Sequence, residues 1–91
     1  MMNFDNAIYE TTSVYPDYVG ACRKVENTDE NEPCWLVTFQ ERNIGGKEVL
    51  IEVILRDGGI VMSILSARHL THTEMTNLAN TFTRYLEITP E

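Results

Sequence analysis

The chain has 91 residues, a mass of 10.4 kDa and a formal net charge of −7 from 14 acidic and 7 basic side chains. That length supports one hydrophobic core and excludes a second domain, while 43% hydrophobic and 23% charged residues exclude the disordered and coiled-coil classes. The acidic excess argues against nucleic acid or an anionic membrane as the ligand and points to a basic partner.

Phe4, Ile8, Thr11, Tyr15, Tyr18, Cys22 and Val25 recur at alternating steps of four and three, which predicts a helix from Phe4 to Val25. Pro16 removes a backbone donor and clashes with the preceding turn, so this helix is expected to kink there or to break into two. Asn3, Asn6, Glu10, Ser13 and Asp17 form its polar face. Glu10 and Asp17, seven residues apart, are placed about 10 Å from each other along the axis.

Residues 26 to 33 contain four carboxylates, no base and no large apolar side chain, the pattern of an exposed loop. Beyond it, Trp35, Val37 and Phe39 alternate with Leu36, Thr38 and Gln40, predicting a strand. Asn43 to Lys47 reads as a turn. A second strand runs from Glu48 to Arg56, with Val49, Ile51, Val53 and Leu55 on one face. Asp57-Gly58 predicts a hairpin of the type that needs positive φ at both central residues, and a third strand follows from Ile60 to Ser66. Thr71 and Glu74 have capping-box spacing, with Leu70 and Met75 at the two staple positions, so a helix is expected to begin there. Met75, Leu78, Ala79, Phe82 and Leu86 are its apolar stripe. The expected fold is α+β, with an N-terminal helix, a three-stranded antiparallel meander and a C-terminal helix in a single domain, residues 1 to 91.

Leu50, Ile54, Val61 and Leu65 lie opposite the other apolar strand residues, so both faces of the sheet are partly apolar and two helices do not cover both. With its edge strands, such a sheet is expected to form a homodimer.

The chemical constellations are weak. His69, His72, Cys22 and Cys34 include metal-ligating types, but the cysteines are twelve residues apart and not closely paired as in a structural zinc site. No Gly-x-Ser-x-Gly, phosphate-cradling glycine loop or His-Glu-x-x-His is present, so catalysis, a metal and a cofactor are not expected. The aromatic residues lack the basic groove of a base-stacking platform and read as core. Met1 to Asn6 has no basic or apolar run of a secretory signal. The longest apolar run, Val49 to Leu55, contains Glu52 and is far below the roughly 18 residues of a membrane span. Together with two cysteines of the buried, reduced kind, this leads to the expectation of a cytoplasmic protein.

Charge asymmetry is the most informative feature. Residues 1 to 41 hold eight acids and two bases, whereas residues 42 to 91 hold six acids and five bases. The bland reading is a solvated surface that keeps the protein soluble. The functional reading is a negative surface on the first helix and the following loop, steering a basic protein partner in a salt-sensitive way. In size, acidity and element order, with Glu10, Asp17, Glu26, Asp29, Glu30 and Glu32 as the matching character, the chain resembles the small acidic Arn-type anti-restriction proteins of T4-like phages.

The resemblance implies a dimeric DNA mimic whose carboxylates stand in for phosphates. It would occupy the basic cleft of a restriction endonuclease of the McrBC type, or of another DNA-binding protein, in the host cell cytoplasm. Physics sets a condition on this. Duplex DNA carries about one charge per 1.7 Å, whereas a dimer on the order of 55 Å long averages about one net charge per 4 Å, so the acids must cluster on one surface. A second reading is a small acidic dimeric chaperone or adaptor that binds a protein client through the apolar face bearing Leu50, Ile54 and Leu65. A third is an immunity-type nuclease inhibitor.

Overall fold

The computed structural model describes residues 2–26, 32–43 and 46–87. It contains two helices, α1 (Phe4–Val14) and α2 (His72–Tyr85), and four strands, β1 (Tyr18–Val25), β2 (Cys34–Glu41), β3 (Glu48–Arg56) and β4 (Gly59–Arg68). The strands form one antiparallel meander in the order β1-β2-β3-β4. The α+β class and the C-terminal helix agree with the sequence reading. The meander has four strands instead of three, because residues 18–25 are extended and not helical.

The reason lies in a coincidence of spacings. Tyr18 and Cys22 suit a helical period, yet Tyr18, Gly20 and Cys22 also suit a period of two, and in the fold these three turn toward the helices. Gly20 costs a helix about 1 kcal/mol relative to alanine, and the β2 edge offers eight paired positions, from Tyr18 opposite Glu41 to Val25 opposite Cys34. Pro16 therefore ends the first helix outright. Tyr15 takes a non-helical φ of −119°, as expected for a residue before proline, and its N–H donates to the Thr11 carbonyl to close the last turn. Asp17, expected on the polar face of a helix, lies instead in the turn between α1 and β1.

The other local signals agree with the structure. Asp57 and Gly58 have φ of 52° and 74° in the β3–β4 turn. Thr71 caps α2, with reciprocal bonds between its side chain and the Glu74 N–H and between its N–H and the Glu74 carboxylate. Leu78, Ala79, Phe82 and Leu86 are buried, and Met75 partly so.

The two helices run antiparallel across one face of the sheet. The Asn3 N–H donates to the Glu87 carbonyl at 3.0 Å at one end, and Tyr15 and Asp17 share a groove with Glu74, Asn77 and Leu78 at the other. Between the layers, Val37, Phe39, Val49, Ile51 and Val53 are fully buried. The Phe39 and Phe82 rings meet edge-on at 5.4 Å, and Phe4 tilts against Trp35 at 5.1 Å. Gly20 lies where a side chain has no room, since a Cβ there would stand 2.7 Å from Ile8 Cγ2 and 2.8 Å from Phe39 Cε1.

Lys47 and Glu74 form an ion pair that ties the β2–β3 connection to the first turn of α2. The lysine's hydrogen bond, followed by the Thr71 backbone, lowers the Glu74 pKa below its usual 4.5, and the same bond raises Lys47 above 10.5. Because Glu74 is lowered on folding, its contribution is present above pH 4.5 and is lost as pH falls through the folded value; the Lys47 contribution persists until well above pH 10. Lys47→Met is therefore expected to lower the melting temperature at pH 7, and the difference from the unsubstituted protein is expected to shrink as pH falls below 4.5 and through the folded Glu74 value. A calorimetric pH series checks this, and a constant difference would show that the pair is not the cause.

Candidate functional site

Among the described residues, two surfaces bear on the sequence expectations: the outer side of α1, and the sheet face that the helices leave open.

On α1, Phe4, Ala7 and Thr11 are buried, and the Thr11 hydroxyl donates to the Ala7 carbonyl at 2.6 Å within the helix. The outward crest is Asn6, Tyr9 and Ser13, all exposed. At about 100° per residue, Asp5 and Glu10 flank this crest on opposite sides, roughly 140° apart around the axis and about 7.5 Å apart along it. Asp5 and Asp17 are exposed and Glu10 is half-buried. No Lys or Arg occurs among residues 1–22. In space the stretch is bordered, among the described residues, by three cations: Arg42, whose backbone N–H donates to the Asp17 carbonyl and whose Nε donates to the Pro16 carbonyl, Lys24, which shares a groove with Asp5, and Lys47, which shares one with Asp17.

The expected carboxylate cluster does not form one surface among the described residues. β1 intervenes between α1 and the loop after it, so Asp17 and Glu26 stand at opposite ends of an eight-residue strand, about 30 Å apart at 3.3 Å per residue. Glu26 is exposed. Glu32 is engaged by Arg56, whose Nε and Nη2 donate to its two oxygens at 2.8 and 3.1 Å, a two-pronged bond that neutralises a would-be phosphate substitute. Asp29 and Glu30 lie outside the described residues. The residue not singled out from sequence is Asp5, which shares the cation-free stretch with Glu10.

The ends of α1 and β1 also frame an open groove of about 460 Å³ lined by Asn3, Phe4, Asp5, Cys22, Lys24 and Trp35. Burial, with a smaller contribution from Asp5, raises the Cys22 thiol pKa above 9.0, which leaves Cys22 a poor nucleophile at neutral pH. Cys22 faces the helices and Cys34 the opposite side of the sheet, so the two thiols cannot share a metal ion or a disulfide in this fold. Among the described residues no group of three His, Cys, Asp or Glu side chains is placed to hold a metal, and no helix is long and apolar enough to cross a membrane.

The open sheet face is read directly from the strand register. One row across the strands is Ala21, Thr38, Leu50 and Ser66. The next is Arg23, Leu36, Glu52 and Ser63, and the next is Val25, Cys34, Ile54 and Val61. Leu36, Leu50 and Ile54 are half-exposed, Val19 and Val61 are each more than 40% exposed, and Cys34 alone among these apolar residues is buried. On β4, Ile51 pairs with Ile64 while Leu50 pairs with Ser66. Leu65 is thus the extra residue of a bulge and is 49% exposed. The sequence expectation of two apolar faces with only one covered by helices agrees with this arrangement.

No protein-family model, curated protein or solved structure matches this chain.

Proposed function

We propose that the protein is an acidic inhibitor that docks, through the outer side of α1 and the turn after it, onto the basic DNA-binding cleft of another protein such as a restriction endonuclease. The observation that carries this reading is the cation-free stretch of residues 1–22, which presents Asp5, Glu10 and Asp17 on one helix and its exit turn. Three carboxylates over about 20 Å are far fewer than the phosphates of duplex DNA over that length. The mimicry is therefore local: a few carboxylates occupy individual phosphate positions, and the remaining affinity comes from other contacts.

The test uses the triple variant Asp5→Asn, Glu10→Gln, Asp17→Asn against a purified modification-dependent endonuclease of the McrBC type, and against DNA-binding proteins from nuclease-treated bacterial lysate. Binding by the unsubstituted protein is expected to weaken as salt rises from about 0.1 to 1 M, where the Debye length shrinks from about 10 to 3 Å, and to be competed by duplex DNA. The triple variant is expected to bind at least about tenfold more weakly, since rim charges steer association, with an unchanged circular dichroism spectrum. Equal binding by the variant would overturn the proposal.

A second reading, an adaptor or chaperone, is favoured by the half-exposed Leu36, Leu50 and Ile54 on the open face. Its client contact would persist through high salt, because apolar contact is not screened.

A further inference from the structure

The open sheet face has one feature that an apolar patch alone does not explain. Glu52 stands at its centre, half-buried, between Leu50 and Ile54 on its own strand, with Leu36 opposite it on β2. Its one polar contact among the described residues is a long one, the Cys34 thiol donating to Oε2 at 4.0 Å. Arg23 occupies the same row two strands away, exposed on β1, with Leu36 between them. Neither Arg23 nor Glu52 has an ion-pair partner among the described residues. Whatever covers this face must bring a cation to Glu52, because a carboxylate covered without one loses its hydration uncompensated.

We infer that the occupant is a second copy of this chain, stacked face to face about a twofold axis running along β2, with Arg23 of each copy set on Glu52 of the other. The register produces this match without adjustment. An axis along β2 exchanges β1 with β3 and keeps every row at its own height. Arg23 then lies over the partner's Glu52, Val25 over the partner's Ile54 and Ala21 over the partner's Leu50, while Leu36 meets its own symmetry mate. Each contact occurs twice, as a closed twofold interface requires, and sheets stacked with strands nearly aligned at about 10 Å are a common packing. Placing the axis between β2 and β3 would overlap all four strands but would seat each Glu52 on the partner's Leu36 and each Arg23 on the partner's Ser63, so that the cation stands one strand to the side of the carboxylate and not over it. The charge pattern therefore selects the first arrangement. This inference does not depend on the proposed target of α1, which remains on the outer side of both copies.

The experiment measures oligomeric state by sedimentation equilibrium of the full chain alone, so its outcome is separable from any failure to find a target. The unsubstituted protein is expected to be a dimer at about 10 µM. Arg23→Glu and Glu52→Arg, measured separately, each place like charges together twice and are expected to raise the dissociation constant at least about 100-fold. Mixed in equal amounts, these two variants are expected to form a heterodimer, since each restores the partner's missing sign, and the double variant Arg23→Glu/Glu52→Arg is expected to dimerise by itself. Circular dichroism of each variant establishes that it is folded, and the mixing experiment reports pairing even where one variant is less stable. A monomer at 100 µM, or single variants that dimerise like the unsubstituted protein, or a mixture that stays monomeric, would each overturn the inference. Capture of a different protein on this face by a monomeric chain would assign the face to a client.

Discussion

Replacing Phe39 with alanine is expected to lower the unfolding free energy by about 3 to 5 kcal/mol, the usual cost of removing a buried phenyl ring. The ring is fully buried, meets Phe82 edge-on at 5.4 Å, and lies directly beneath the missing side chain of Gly20. A domain of this length has about 5 to 14 kcal/mol in total, so one substitution removes a large share of it. Urea unfolding followed by tryptophan fluorescence would show the midpoint falling with little change in slope. A loss below about 1 kcal/mol would mean that the neighbours collapse into the vacated space, contrary to a close-packed interface between sheet and helices.

The second large effect comes from adding one methyl group. Gly20→Ala improves strand propensity, yet it is expected to destabilise by about 1 to 3 kcal/mol, the range for overpacking a filled core. The added Cβ would press on Ile8 Cγ2 and on the Phe39 ring at under 3 Å. The methyl of Ile8 sits on a partly buried side chain and has freedom to turn, whereas the ring is held by Phe82. Shortening Ile8 to alanine removes one of the two obstacles. Gly20→Ala is therefore expected to cost less in an Ile8→Ala background than alone, a coupling of the kind that double-mutant cycles detect between touching residues. Simple additivity would show that α1 does not rest on β1 at this point.

Much of the architecture was legible because several local signals agreed with one another. The Asp57-Gly58 turn, the alternation on either side of it, the capping box of Thr71 and Glu74 and the stripe ending at Leu86 each have a backbone cause close in sequence. The segment from Tyr15 to Val25 was misread because its apolar positions satisfy two periods at once. The decision between them was made at a distance, by the eight-residue pairing with β2 and by the need for a residue without a side chain under Ile8. That misreading carried over to the candidate site. With residues 18–25 helical, Glu10, Asp17 and Glu26 would follow one another along a single element; with them extended, a strand's length separates Asp17 from Glu26. The engagement of Glu32 by Arg56, 24 residues later, has no local signature. Nor does the shared row of Arg23 and Glu52, since a strand unrecognised in the sequence has no register.

Contacts between the first and last elements carry a further consequence, for the order in which the molecule assembles. Each strand pairs with its neighbour in the chain, so the sheet can zip up through three hairpins with short loops to close. The helix layer instead requires α1 and α2 to find each other across about 60 intervening residues, and closing a loop of that length is slower and entropically dearer. The sheet is therefore expected to form first as a template that exposes both of its apolar faces, and the acid-bearing helix is expected to close against α2 late. Its amides are the ones expected to open first in the native state and to exchange ahead of those in β2 and β3.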